Sequence, residues 1–185
     1  AGKYQDITIK KFYLHAQDFH MNISKEKISS GHIAVEIESD IADIRHISDI
    51  KDNSMRSNTS INPKNALIDK YNLPHRDGAI SSITIDALSD INQSKALVKF
   101  NGKKLLNGKK DAFNIDTMES ELVAKYTYKT KKLLSKLNTH IKTTYTDDIA
   151  LKMNFNMLED KIDYNGVVDV PKISGLGLDK NITDL

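Results

Sequence analysis

Six histidines and two pairs of adjacent acids are the side chains that could do metal or acid–base chemistry in this chain. The chain has no cysteine, and its histidines are His15, His20, His32, His46, His75 and His140. A zinc site needs three or four ligands within about 2.0–2.2 Å of one point, and no HxH or HExxH spacing brings histidines together. The lack of cysteine excludes disulfides, thiolate metal sites and cysteine nucleophiles. We therefore predict neither a metal ion nor a cofactor.

Motifs that would indicate an enzyme are absent from the sequence. There is no GxSxG, no GxxxxGK[ST], and no GxGxxG between a strand and a helix. Asp147-Asp148 comes just before a predicted strand and Glu159-Asp160 lies in a predicted turn. Acids in such places usually serve solvation and turn geometry rather than general acid–base catalysis. We predict that the protein is not an enzyme and has no catalytic residues.

Lysine is concentrated in one part of the chain. Residues 95–142 contain twelve Lys and four acids, so this segment is net +8 (12 − 4) in a chain whose formal net charge is +2. Such a segment could contact an anionic surface such as lipid headgroups. The alternative, which we favour, is a solvated lysine face that protects strand edges. The candidate contact residues are Lys103, Lys104, Lys109, Lys110, Lys125, Lys129, Lys132 and Lys136. The segment has no Arg, which argues against a nucleic-acid partner.

The elements that would position these side chains are mainly strands. Apolar and polar residues alternate over 149–157 and again over 162–170, which predicts a β-hairpin with one buried face. Shorter alternating runs predict strands around 32–41, 83–87 and 96–100. The alternation over 6–23 changes parity at Gln17-Asp18, which is typical of a β-bulge.

Two segments favour helix. Asn62-Pro63 resembles a helix start, and we expect a short helix to about residue 71. It would lie in a polar segment, 48–78, that we interpret as an insertion or a mobile loop. Residues 117–142 allow two interpretations, because Leu122, Tyr126, Leu133, Leu137 and Ile141 keep helical spacing within a β-branched context. They are either a strand followed by one longer helix or one continuous helix.

The expected fold class is therefore α+β, mainly an antiparallel, sandwich-like sheet with one longer helix and one short helix. We expect a single β-rich domain over 1–175 and a loose C-terminal tail over 176–185. No apolar run approaches 18 residues, so no transmembrane segment is predicted. The chain begins at Ala1, which we interpret as the start of a processed, extracytoplasmic protein of the periplasm or cell envelope.

Three stretches carry a family resemblance. They are Ile7 to Leu14 leading to the strand around Val35, the run Phe100-Asn-Gly-Lys-Lys-Leu-Leu-Asn-Gly-Lys109, and Leu133 to Leu137 before the closing hairpin. Their order resembles the late-embryogenesis-abundant type 2 domain, a fibronectin-like sandwich carrying a helix. Two features depart from that family: Glu38-Ser39-Asp40 replaces its Asn-Pro-Asn, and some fifty residues precede the Asn-Gly turn. The chain also resembles AsmA-like envelope proteins, which are built from successive amphipathic strands.

Either resemblance implies a non-catalytic role outside the cytoplasm. We expect a binding or structural module that engages a protein partner, with binding of a lipid or other apolar ligand as the alternative. An apolar ligand would require an internal cavity lined by Ile, Leu and Met between sheet and helix. A protein partner would instead require an exposed apolar patch or an uncovered strand edge.

Overall fold

Ten antiparallel strands form one sheet in the computed structural model, which describes residues 7–22, 27–65, 80–105, 114–159 and 161–171. Each strand pairs with the strand before it and the strand after it in the chain. The strands are β1 (Ile9–Asn22), β2 (Lys27–Ser39), β3 (Ala42–Lys51), β4 (Ser54–Pro63), β5 (Ile80–Ser89), β6 (Gln93–Lys103), β7 (Ile115–Thr127), β8 (Lys132–Thr143), β9 (Ile149–Leu158) and β10 (Lys161–Asp169).

The predicted α+β class is wrong. Every element in the described ranges is a strand, and residues 117–142 form β7, a turn and β8 instead of either predicted helix. Residues four apart lie on one side of a helix, but they also lie on one face of a strand, since four is a multiple of two. The spacing of Leu122, Tyr126, Leu133, Leu137 and Ile141 was therefore compatible with both structures.

The predicted short helix does not begin at Asn62, because Asn62 and Pro63 are the last residues of β4. Its continuation over 66–71 lies outside the described residues. The segment interpreted as an insertion or mobile loop starts within the sheet, with residues 48–51 in β3 and 54–63 in β4, and residues 66–78 are not described. The tail over 176–185 also lies outside the described ranges.

The sheet is a single layer rather than half of a sandwich. Among the described residues the only buried apolar side chain is Ala42, which is 8% exposed. No described side chain falls below 2% exposure. A sandwich would bury one face of each sheet completely. Stability must therefore come mainly from backbone pairing and from side-chain contacts between neighbouring strands.

Two predicted details of the strands are confirmed. The hairpin over 149–157 and 162–170 is β9 and β10, paired without interruption from Leu158–Lys161 to Ala150–Asp169. The buried face predicted for it is wrong, because every residue of β10 is exposed. The register of β1 against β2 shifts between Gln17 and His20, and Asp18 has a positive φ of 58°, as a bulge there requires. The turn expected at Asn101-Gly102 is wrong, because both residues pair with β5 and β7 inside β6.

A threonine hydroxyl organises the connection between β8 and β9. Thr143 Oγ1 accepts hydrogen bonds from the backbone N–H of Thr146 at 3.0 Å and of Tyr145 at 3.2 Å. Thr143 is 3% exposed and Thr146 is 6% exposed. In a sheet with so little buried surface, this is one of the few places where a polar group is fully withdrawn from water.

We expect Thr143→Val to destabilise the protein by about 1–3 kcal/mol, since two backbone donors lose their acceptor in a buried position. Thr144→Val is the matched control, because Thr144 is exposed and the substitution removes the same hydroxyl. Urea denaturation followed by circular dichroism measures both. Equal losses in the two variants would contradict the role assigned to the Thr143 hydroxyl.

The connection between β5 and β6 makes a contribution to stability that depends on pH. Asp90 Oδ1 accepts hydrogen bonds from the backbone N–H of Asn92 at 2.7 Å and of Gln93 at 3.0 Å. These two bonds, of which the bond from Asn92 has the larger effect, hold the pKa of the Asp90 carboxyl below its usual value. Because this pKa is lower in the folded than in the unfolded state, ionised Asp90 stabilises the fold. This stabilisation is fully present above the unfolded-state pKa, about 3.9, and is lost as the pH falls through the folded-state pKa.

We therefore expect Asp90→Asn to lower the urea midpoint at pH 7. The difference from wild type should shrink as the pH falls through the lowered pKa of Asp90, where the wild-type carboxyl also becomes neutral. A difference that stays constant from pH 7 to pH 2.5 would show that the charge of Asp90 does not matter.

Candidate functional site

The register of the sheet separates two chemically different faces. Directly opposed residues of neighbouring strands project to the same side of a sheet, so the pairing links alternate residues of all ten strands into one surface. We call this surface the uncharged face. In β1, β3, β6, β7 and β10 it consists of the even-numbered residues of 12–16, 42–50, 94–102, 118–126 and 162–168, respectively. In β2, β4, β5, β8 and β9 it consists of the odd-numbered residues of 31–39, 55–63, 81–89, 133–141 and 149–157, respectively.

No Asp, Glu, Lys or Arg occupies any of these positions. Rows of directly opposed apolar side chains cross the sheet instead. One row is Ile37, Ile44, Ile61, Ile83 and Phe100, and another is Ile85, Val98, Leu122, Leu137 and Met153. At about 4.8 Å between strands and 3.3 Å per residue, the face measures about 43 by 27 Å. The face therefore spans about 1,100 Å², its Ser and Thr side chains included, whereas the largest apolar patch on a typical monomer is about 300–600 Å².

A line of small side chains runs beside the second of these rows. Directly opposed residues of β3 to β8 along this line are Ser48, Ser57, Ala87, Ala96, Ala124 and Ser135. Five strand spacings give the line a length of about 24 Å. On one side the neighbouring row carries Ile85, Val98 and Leu122. On the other side the same strands carry Ser89, Ser94 and Tyr126, so large side chains border the line mainly on one side.

The uncharged face is least covered at the two edges of the sheet. On β1, Phe12 is 61% and Leu14 57% exposed, and on β10, Tyr164 is 74% and Ile162 63% exposed. Side chains of the inner strands are partly covered by their neighbours on both sides. In the described part of the chain two side chains lie over this face, Phe19 over Gly31 and Leu105 over Gly102, each within 2.7 Å of the position that a Cβ on the glycine would take.

One imidazole, that of His46, lies on the uncharged face. His46 Nδ1 is 2.8 Å from Thr59 Oγ1, and His46 Nε2 is 2.6 Å from Ser48 Oγ. A hydroxyl beside an imidazole is an arrangement used in nucleophilic catalysis. Ser48 is only 2% exposed, however, and Thr59 stands where a carboxylate would orient the imidazole. In this geometry the three groups satisfy one another's hydrogen bonds and Ser48 is closed to a substrate.

The opposite face carries the charges. Its ion pairs link neighbouring strands and include Lys11–Glu36 at 3.3 Å, Arg45–Glu36 at 3.1 Å and Lys99–Glu121 at 3.7 Å. Pairs this exposed contribute about 0–1 kcal/mol each. The ion pairs therefore add little to stability. They matter because they give the sheet one face that interacts with water and leave the other face without charged side chains.

The histidines do not assemble a metal site in the ranges that the structure describes. The rings of His15 and His32 have centroids 6.5 Å apart, and His32 Nδ1 lies 2.7 Å from Asp49 Oδ1. His20 instead contacts Ser30 Oγ at 2.9 Å. No group of three or more His, Asp or Glu there could hold a metal ion, and His75 is not described.

The candidate lysines divide into two groups. Lys103 and Lys104 lie at the end of β6, whereas four others lie around the turn between β7 and β8: Lys125, Lys129, Lys132 and Lys136. Lys103 pairs with Thr117, eight residues along β7 from Lys125, so about 26 Å separates the groups. Lys125 and Lys136 line a concavity of about 440 Å³ on the charged face, together with Asp163 and three Asn. Lys109 and Lys110 lie outside the described residues.

Sequence reasoning missed the uncharged face because its central strands are not conspicuously apolar. In β3 and β4 the face positions include Ser48, Ser57 and Thr59, so the alternation is weak there. A signal was present all the same: within β3 and β4 no charged residue has the parity of the uncharged face, although Ile47 lies on the charged side. Counting charges by parity, rather than apolar residues, would have marked the uncharged side of each strand.

Comparison of the chain with protein-family models, with curated proteins and with solved structures finds no match. Among the described residues, none belongs to a helix with the length and hydropathy needed to cross a membrane, as predicted.

The separation of the lysines generates a prediction about anionic surfaces. The Debye length at 0.15 M salt is about 8 Å, so groups about 26 Å apart act independently. We expect wild type to float with anionic liposomes no differently from a variant with Lys103, Lys104, Lys109 and Lys110 changed to Gln. A second variant with Gln at Lys125, Lys129, Lys132 and Lys136 is the matched comparison. A loss of flotation in either variant, reproduced in wild type by high salt, would instead assign headgroup contact to that lysine group.

Proposed function

We propose that this protein is a non-catalytic binding module of the cell envelope that holds acyl chains of lipids against its uncharged face. The observation that carries the proposal is the exclusion of charged side chains from alternate positions of all ten strands. The face spans about 1,100 Å² and carries Ser and Thr among its apolar side chains, and each Å² of its apolar surface left in water is unfavourable by about 25 cal/mol. Such a face requires an apolar cover.

The uniformity of the face favours lipid over a folded protein. Protein interfaces combine an apolar centre with a polar rim and carry about one hydrogen bond per 100–200 Å². Here the positions at both ends of the strands are as free of charge as those at the centre, and the hydroxyls on the face bond to each other. Thr139 Oγ1, for example, donates to Ser120 Oγ at 3.0 Å. A flexible apolar chain needs no fixed polar partners, so it fits this surface.

The line of small residues is long enough for an extended acyl chain. The line of small residues from Ser48 to Ser135 is about 24 Å long, whereas one leaflet of a bilayer core is about 15 Å thick. Each methylene removed from water contributes about 0.8 kcal/mol. Ten methylenes covered by the face on one side only would contribute about half of the full value, about 4 kcal/mol, before the cost of association is subtracted. The enclosed cavity expected between sheet and helix is not needed, because the ligand lies along an open face.

A pair of substitutions at neighbouring positions tests the proposal. Leu122 lies on the uncharged face and Val123 on the charged face of the same strand, so Leu122→Asp and Val123→Asp add the same charge to opposite sides. With a fluorescent long-chain fatty acid as probe, we expect Leu122→Asp to weaken binding at least tenfold, because a carboxylate would be desolvated beneath the chain. Val123→Asp should bind like wild type.

Circular dichroism establishes that both variants are folded. The proposal fails if wild type does not bind the probe, or if the two variants lose binding equally. Native mass spectrometry of material purified from its source supplies the independent readout, since a co-purifying lipid is the expected companion.

A protein partner is the second candidate function, and a specific observation favours it. Both edge strands of the described sheet lack a partner on their outer side, and an extended segment could add to either edge. A stoichiometric protein companion in the same mass spectra, without lipid, would favour this candidate over the first.

A further inference from the structure

The outer edge of β10 carries charged side chains only on the charged face, those of Lys161, Asp163 and Asp169, and lacks the other devices that normally block strand addition. All nine of its residues are exposed, and it pairs with β9 without a register shift. Protected edges usually carry a proline, a bulge or an inward-pointing charge. Between Lys161 and Asp169 there is no proline, and the residues on the uncharged face are Ile162, Tyr164, Gly166 and Val168.

The other edge offers a complementary stretch. In β1 the pairing with β2 is regular from Lys11 to Gln17, before the bulge at Asp18. This regular stretch presents Phe12, Leu14 and Ala16 on the uncharged face. It is long enough to pair with most of β10.

The even number of strands sets the relative direction of β10 and β1 when two copies meet edge to edge. Successive strands alternate in direction, so β10 runs opposite to β1 within one molecule. A second copy in the same orientation therefore presents its β1 antiparallel to the first copy's β10. In that arrangement the uncharged faces of the two copies lie on the same side and form one surface.

One register matches both side-chain size and charge. With Phe12 opposite Val168, Leu14 meets Gly166 and Ala16 meets Tyr164, so a small residue faces a larger one at both positions. On the charged face, Lys11 then meets Asp169 and Gln17 meets Asp163. The ammonium of Lys11 contacts Glu36 at 3.3 Å and is 60% exposed, so it can reach a second carboxylate.

From these edges we propose that a second copy of this chain adds its β1 to the free edge of β10 and extends the sheet and its uncharged face. The contact is head-to-tail, because two different edges meet, and it leaves the same two edges free at the ends of the dimer. Contacts of this kind build open rows rather than closed dimers unless a rotation closes them. Self-association should therefore rise continuously with concentration.

Reversing the charges tests the register. Asp169→Lys or Lys11→Asp alone places like charges opposite each other, and each should weaken self-association of the full-length chain about tenfold in a sedimentation-velocity concentration series. The double variant, Lys11→Asp with Asp169→Lys, restores opposite charges and should recover association to within threefold of wild type. Lys125→Asp, on the charged face of β7 and away from both edges, is the control and should associate like wild type.

Disulfide formation gives an independent readout, because the chain has no cysteine of its own. Opposed residues in a sheet have Cα atoms about 4.5–5.5 Å apart, which is within the range that a disulfide spans. Mixing Lys11→Cys protein with Asp169→Cys protein should give a cross-linked heterodimer in preference to either homodimer. Lys152→Cys in place of Asp169→Cys should not give it.

Three results would overturn the proposal: a monomer at every concentration, a double variant no better than the single variants, or cross-links no more frequent with Asp169→Cys than with Lys152→Cys. Fatty-acid binding by the charge variants separates this proposal from the proposed function, since Lys11 and Asp169 lie off the uncharged face. Charge variants that lose self-association but still bind the fatty acid therefore bear only on the edge contact.

Discussion

Backbone pairing between sequential strands is the interaction on which the rest of this structure depends. A globular domain usually buries its apolar side chains between two layers, but the described part of this chain has one layer and one buried apolar residue, Ala42. The order of the structure therefore comes from register. Each strand fixes which residues of the next strand share its face, and this propagates from β1 to β10 without a crossover. A one-residue slip at any strand would place charges on the uncharged face.

The single layer also explains the composition of that face. Ser and Thr would be costly in a sealed core unless they were paired, yet Ser57, Thr59 and Ser120 occupy central positions here. They are tolerated because the face is only partly withdrawn from water, and the most buried hydroxyls, those of Ser48 and Thr139, have partners at 2.6 and 3.0 Å. Charged side chains are a different case, since their desolvation beneath any apolar cover is far more costly.

The sequence predicted strands best where large apolar residues fill every face position. In β9 these positions are Ile149, Leu151, Met153, Phe155 and Met157, and the predicted hairpin is confirmed. In β7 and β8 the face positions between the large residues are Ala124, Ser135 and Thr139, so only the spacing of four was visible, and a helix shares that spacing. Charge parity marks the uncharged side of each strand separately, but it does not show that these sides form one face. That face exists only when ten separate alternations are set in one register, and hairpin connections, not local propensity, establish that register.

The open face and the open edges have one structural origin. A sheet that packs against a second layer covers its apolar side, and a sheet that curls on itself or shortens its outer strands removes its edges. This chain does neither in its described residues, since β10 is nine residues long and exposed throughout. Addition of a strand to β10 would cover the backbone of the edge but would enlarge the uncharged face. Self-association therefore cannot take the place of an apolar ligand; each added copy increases the surface that such a ligand must cover.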